Sequence, residues 1–256
     1  MSTVRVERDG RIAWVTLDRA DAANALSKAL VHDLGEAFAG LRAEPVIVVL
    51  TGAGEKAFCA GADLKERRAM SLEETRAFLT DLNAMVDAIA AHPMPVVAAL
   101  NGAAYGGGLE LALACDLRLA AAHVEVGLPE VKLGIIPGAG GTQRLARACG
   151  LAVAKELILT GKRIDAARAL ALGLVSAVAA PSELRQEAER WATEISTAGP
   201  LAVAEAKAAI DEGWGQPLAA ALAVERAKYE VVLTSEDRNE GLRAFAEKRK
   251  PNFTGK

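Results

Sequence analysis

Residues 106–110 read Gly-Gly-Gly-Leu-Glu, and they are the first stretch whose residue types and spacing suit chemistry. Three consecutive glycines remove every Cβ from the start of a helix, so a ligand atom can approach the backbone and the free N–H groups can point at it. Such a helix start is a socket for negative charge. Glu110 lies one turn inside the same helix, in a mostly apolar segment. Backbone donors beside a carboxylate suggest acyl chemistry, in which the amides hold a carbonyl oxygen while the carboxylate moves a proton. Taken alone, an acid in a first helical turn also serves as a dipole-stabilising surface group. A second carboxylate follows in Gly127-Leu-Pro-Glu130, where a turn residue is an equal reading on local sequence. Ala60-Gly-Ala-Asp-Leu-Lys65 is another run of small residues that opens backbone N–H groups, with Lys65 next to them.

Other chemistry-bearing residues read as structural. Asp116 follows the glycine-started helix and suits a hydrogen-bonded structural carboxylate. His32, His92 and His123 fit no catalytic spacing. Cys59, Cys115 and Cys149 lie far apart, without zinc spacing, and read as reduced, buried small residues; no metal site is expected. Gly52-Ala-Gly54-Glu-Lys-Ala57 matches a dinucleotide-binding fingerprint in letters, but the glycine-interrupted stretch after it stands where that fingerprint needs a helix.

Composition narrows the classes further. A length of 256 residues with 52% hydrophobic and 25% charged residues describes a folded globular chain. The net charge of −3 and 4% aromatic content argue against a nucleic-acid partner or an anionic membrane surface. The sequence opens on an alternating strand pattern with no signal or spanning segment, so a cytoplasmic location is expected.

The elements that position the candidate residues follow from periodicity. Residues 3–8 and 11–18 alternate around Asp9-Gly10 as a β-hairpin. Ser27 caps a helix to about residue 42, and residues 46–50 form a buried strand parallel to the hairpin's second strand. A capping box at Ser71 starts a helix running to 91, and strands are expected at 95–100, 116–120, 124–126 and 174–178. Helices are expected from the glycine run at 137–141 and at 151–160, 165–172, 182–197, 200–212, 217–233 and 236–248. The composition shifts near residue 180 to helices alone. Two regions follow, 1–180 carrying the site and 181–256 forming a helical tail whose Ala/Leu faces call for docking on another subunit.

With these stretches in view, the chain resembles the enoyl-CoA hydratase (crotonase) superfamily. The likeness runs through Ala23-Asn-Ala-Leu26, Phe58 to Lys65, Asn101 to Glu110, Gly127 to Glu130, Ile135 to Leu145, Leu159 to Lys162 and Ser235 to Lys248. The resemblance implies an α/β fold, a spiral of repeated ββα units with a C-terminal helical trimerisation region, assembled as a homotrimer or a dimer of trimers. It implies an acyl-CoA substrate and no separate cofactor, coenzyme A being part of the substrate. Hydratases of this kind carry two glutamates, at positions matching Glu110 and Glu130, with an oxyanion hole from the amides of Ala62 and Gly107. Contacts to substrate or coenzyme A are implied for Ala23, Ala25, Ala60, Asp63, Leu64, Lys65, Gly106 and Pro129, and for Phe245 and Lys248 from a neighbouring subunit.

Phe58 to Arg67 and Gly108 to Asp116 look particularly like 3-methylglutaconyl-CoA hydratases of leucine breakdown, whose carboxylated acyl group would call for a cation from Arg67, Arg68 or Lys132. Enoyl-CoA isomerisation and dehydration of a 3-hydroxyacyl-CoA are rival reactions of the same fold. RNA binding, found in some members of that branch, is opposed here by Leu41-Arg-Ala-Glu-Pro45, which lacks a lysine run.

Overall fold

The computed structural model describes residues 2–256. β1 (Val4–Asp9) and β2 (Ile12–Leu17) form the expected antiparallel hairpin, with Val4 opposite Leu17 and Asp9 opposite Ile12. Gly10 takes the positive φ (+56°) that the tight turn requires. Ser27 caps α1 (Lys28–Leu41) by accepting from the Leu30 N–H, and the chain returns as β3 (Ile47–Gly52), parallel to β2.

From there one pattern repeats. A long strand runs into one sheet, a three-residue strand into a second, and helices return the chain. β3 is followed by β4 (Ala57–Cys59), α2 (Leu64–Ala69) and α3 (Leu72–Ala90). β5 (Val96–Leu100) is followed by β6 (Ala103–Tyr105) and α4 (Gly107–Ala114). β7 (Leu117–Ala121) is followed by β8 (Glu125–Gly127), a 3₁₀ turn at Glu130–Leu133, α5 (Gly141–Cys149) and α6 (Leu151–Thr160). β9 (Arg163–Asp165), α7 (Ala166–Ala171) and β10 (Ala177–Ala179) complete the two sheets, ordered β1-β2-β3-β5-β7-β10 and β4-β6-β8-β9. This is the expected α/β spiral of ββα units. β3 and β5 are almost wholly buried, which is why they read as continuous apolar runs, and β2, which reads as alternating, is buried along its whole length as well.

Two boundaries differ from expectation. The strand expected at 174–178 begins only at Ala177, because the amides of Leu174 and Val175 both donate to Ala169 O and finish the end of α7. The change in composition near residue 180 is also not where the packing changes. α8 (Leu184–Ser196) lays Leu184, Ala188 and Ala192 on the six-stranded sheet and belongs to its core. α9 (Pro200–Gly213) and α10 (Leu218–Leu233) pair with each other beyond it, followed by α11 (Glu236–Glu247). Lys207 of α9 reaches back to Asp116 at 2.8 Å, while Asp116 also accepts the Val96 N–H at 2.7 Å; its carboxylate is structural. No helix among the described residues is long and apolar enough to cross a membrane.

The contact that matters most for the site joins the two sheets' connections. A Cβ on Gly108 would lie inside the van der Waals shell of Cys59 O, and one on Gly61 would sit 2.7 Å from Tyr105 O. The first turn of α4 therefore packs backbone to backbone against the end of β4. Gly108→Ala should destabilise the fold by about 1–3 kcal/mol, the usual penalty of forcing volume into a packed site. Urea titration checks this, and an unchanged midpoint would contradict the packing described.

Candidate active site

Two loops meet at the N-terminus of α4. The first descends from β4. Ala60 N donates to Ala23 O at 3.1 Å, and Leu26 pairs with Ala62 through Leu26 N to Gly61 O (2.8 Å) and Asp63 N to Leu26 O (3.0 Å). In a parallel bridge of this kind the central residue's own N–H faces away from the partner strand, so Ala62 N donates to no protein group among the described residues. The second loop is Gly106, whose φ of +52° turns the chain into α4. As the first residue of a helix, Gly107 has no intrahelical acceptor for its N–H. Gly107 lies directly beside Ala62: a Cβ added to it would stand 3.8 Å from Ala62 N and 3.0 Å from a Leu26 methyl. The structure thus brings the two small-residue runs together.

It also brings the two glutamates to the same helix start. Glu110 is 2% exposed, and its Oε1 accepts two backbone hydrogen bonds at 2.7 Å, from Ala139 N and Gly141 N. Glu130 is 8% exposed at the start of the 3₁₀ turn, and its Oε1 lies against Gly106, where a Cβ would stand 2.9 Å away. Its Oε2 is buried with no hydrogen-bond partner among the described residues. Burial pushes the Glu110 carboxyl up, and the amides of Gly141 and Ala139 and the charge of Arg144 pull it back part of the way. Burial pushes Glu130 up to about 7, opposed by its own backbone N–H and reinforced by the nearby charge of Glu110. The two acids are therefore electrostatically linked and unequally solvated by the protein. One is held as an acceptor and the other has an open oxygen.

The remaining sequence-derived residues divide. Ala23 and Asn24 both take left-handed backbone (φ 51° and 53°) in the loop that carries Ala25. Ala25 O is gripped by the Arg19 guanidinium at 2.7 Å. Asp63 caps α2, accepting from Lys65 N and Glu66 N, and pairs with Arg19 at 3.1 Å. Against burial, which pushes it up, these partners hold its carboxyl below the usual range. Asp63 thus fixes the loop, and its oxygens are committed to that task rather than free for coenzyme A. Leu64 and Lys65 are exposed on the first turn of α2, and Pro129 is half-buried just before Glu130. Phe245 (86% exposed) and Lys248 lie at the end of α11 and make no polar contact with the residues around Glu110 and Glu130 among the described residues. Of the three candidate cations, Arg67 lies over the Phe78 ring at 5.2 Å, whereas Arg68 and Lys132 are exposed. His92 is buried, its Nδ1 3.0 Å from Met94 O, and His123 is exposed near Glu55 O. Cys59 and Cys115 are buried free thiols, and Cys149 is only half-buried.

Sequence reasoning missed two organisers. Asn24, fully buried, accepts from Arg19 N (3.0 Å) and donates to Ala53 O (3.0 Å) and Ala57 O (2.8 Å). Its left-handed backbone is one that asparagine tolerates better than most residues, but nothing in the sequence shows that conformation or the carbonyls it reaches. Arg19 was the other, a charged residue in an otherwise small-residue loop.

Comparison with known proteins places the whole chain in one family. The family model for enoyl-CoA hydratase/isomerase matches residues 7–256. The enoyl-CoA isomerase/hydratase fer4 of Mycosarcoma maydis is 48% identical over 252 residues, covering 94% of this chain and 92% of that protein. The mitochondrial methylglutaconyl-CoA hydratase of Homo sapiens is 42% identical over 255 residues, covering 97% and 75%. The crystal structure of enoyl-CoA hydratase from Bacillus anthracis superposes with a TM-score of 0.98 at 45% identity, over 99% of this chain and all of that one.

The raised Glu130 carboxyl has a consequence for stability. Below about pH 4.5 the folded and unfolded states both carry the proton. As pH rises towards 7 the unfolded chain ionises while the folded one does not, so stability is lost through that window and stays lost above it. Glu130→Gln should therefore be more stable than the parent at pH 8, the advantage growing by about 1–3 kcal/mol from pH 5 to pH 8. Thermal denaturation at the two pH values checks this, and an equal difference at both would contradict it.

Proposed function

Because the chain belongs to the enoyl-CoA hydratase/isomerase family, we propose that it adds water reversibly across the 2,3 double bond of an enoyl-CoA thioester. Attack at C3 drives negative charge onto the thioester oxygen, and the amides of Ala62 and Gly107 receive it. One such donor typically contributes 10²- to 10³-fold in rate. The observation that carries the reading is the unequal pair of buried acids. Glu110, whose Oε1 is filled by two N–H donors, keeps Oε2 to take a proton from water as it attacks C3. Glu130, with its carboxyl raised to about 7 and an unpartnered Oε2, gives a proton to C2. Run backwards, the same exchange dehydrates a 3-hydroxyacyl-CoA. Isomerisation needs one group to take a proton and return it, whereas water addition uses two, and both are present.

For the acyl group we favour a carboxylated, branched chain of the methylglutaconyl kind. Support comes from the human relative of that name and from Arg67, half-buried over Phe78 rather than dispersed in solvent. The partner of the exposed side of the helical tail is a second and third copy of this chain, as a trimer or a dimer of trimers. Ile210, Trp214, Leu218 and Tyr229, all more than 60% exposed, support that assignment.

Loss of the enoyl-thioester absorbance tests the reaction. Glu110→Gln and Glu130→Gln should each lower kcat by about 10²- to 10⁴-fold, the usual worth of a positioned acid or base. Activity surviving in both would overturn the assignment. Methylglutaconyl-CoA should exceed crotonyl-CoA in kcat/KM, and the opposite order would remove the carboxylated acyl group from the proposal.

A further inference from the structure

The Gly138–Gly141 loop does not hold Glu110 unaided. Its carbonyls are taken from outside. Asn83, on α3, donates to Gly138 O at 2.9 Å and anchors itself on Leu79 O at 2.7 Å. Arg144, on α5, donates to Ala139 O at 2.9 Å and pairs with Asp87 of α3 at 2.7 Å. The guanidinium fills the space beside Gly140, which has a left-handed φ of +93° and no room for a Cβ. The Asn83 grip falls on the peptide unit that carries a donor, since Gly138 O and Ala139 N belong to one unit, and the Arg144 grip falls on the next unit, Ala139 O with Gly140 N, which lies between the two donors. Peptide planarity makes the two ends of a unit turn together, so pulling Gly138 O outward aims Ala139 N inward at Oε1 of Glu110, and fixing the 139–140 unit holds the backbone that leads on to Gly141 N.

We infer that Asn83 and Arg144 are positioning residues that aim the amides of Ala139 and Gly141 at Glu110 from outside the site, and thereby assign the base role to Glu110 and the acid role to Glu130. Neither touches the carboxylates themselves. The inference deepens the hydratase reading and rests on it for the roles of base and acid, although the aiming itself is independent of turnover. The charged and titratable groups around Glu110 are few. Glu130 faces it from the 3₁₀ turn and Arg144 from α5 with Asp87 of α3 behind it, while Cys59 of β4 packs on Gly108 of the same helix, its thiol pushed up to about 12 by burial. Tyr105 of β6 is engaged with Glu125 (2.9 Å) and with Arg163 over its ring.

The test compares two side chains of different charge on different helices. Arg144→Met removes a grip and a charge, Asn83→Leu removes a grip alone, and Arg144→Lys keeps one donor. Infrared difference spectra against pH follow the Glu110 carboxyl C=O band, assigned by its loss in Glu110→Gln. In parallel, kcat and KM are measured for hydration of crotonyl-CoA. Asn83→Leu and Arg144→Met should both raise the Glu110 midpoint by about one pH unit, since each weakens hydrogen bonds to the ionised form. The acidic limb of kcat should move up with it, kcat should fall by about tenfold, KM should stay within twofold, and Arg144→Lys should recover part of the loss. An unmoved midpoint in both variants, whatever happens to stability, would overturn the inference. So would a midpoint that moves only with Arg144→Met, since charge alone would then be acting. A parent chain that shifts as described but hydrates no enoyl-CoA would sink the functional proposal and leave the aiming intact.

Discussion

The arrangement depends on backbone meeting backbone without side chains between. The first turn of α4 can lie against the end of β4 only because Gly108 offers nothing to Cys59 O and Gly61 offers nothing to Tyr105 O. That closeness sets Ala62 beside Gly107, so two amides from segments some 45 residues apart occupy one corner of the molecule. Leu26 flanks that corner at Gly107 and Leu128 at Gly141, and Glu110 and Glu130 are both buried there. A carboxylate brought into such a place loses solvation, and both glutamates there are pushed towards their neutral forms for that reason. Packing and acidity are one effect seen twice.

What distinguishes the two acids is supplied from further away. Glu110 is met by amides 29 and 31 residues along the chain, and the carbonyls of Gly138 and Ala139 in the same loop are held by side chains on two other helices. Among the described residues Glu130 receives only its own backbone N–H. A symmetric pair of buried carboxylates would share a proton without preference. An asymmetric pair gives each a direction of transfer, which water addition to a double bond requires in both senses. The outer ring of Arg19, Asn24 and Asp63 does for the Ala60–Ala62 loop what Asn83 and Arg144 do for the Gly138–Gly141 loop.

Much of this was written locally in the chain. The glycine run before Glu110, the caps at Ser27 and Ser71 and the continuous apolar strands each have a short-range signature, and each formed where expected. In the second sheet only β8 had one. β4, β6 and β9 are three residues long, too short for a period to show, and they are strands only because neighbouring repeats stack them. The division drawn at residue 180 failed for a related reason. The Ala- and Leu-bearing face of α8 looks like that of the helices after it, and only the packing shows that it lies on the sheet. Asn24, Asn83 and Arg144 were illegible because they act through carbonyl groups far away in sequence, and neither residue type nor spacing announces such partners.

The central claim is that the Ala62 and Gly107 amides converge on the thioester oxygen of a bound enoyl-CoA. It is tested most directly by the vibrational frequency of that carbonyl. With a ¹³C-labelled thioester carbonyl bound to the inactive Glu110→Gln/Glu130→Gln protein, isotope-edited Raman difference spectra should place the C=O stretch well below its value in water, as strong polarisation by two donors requires. A bound carbonyl that absorbs at its aqueous frequency or above would contradict the account.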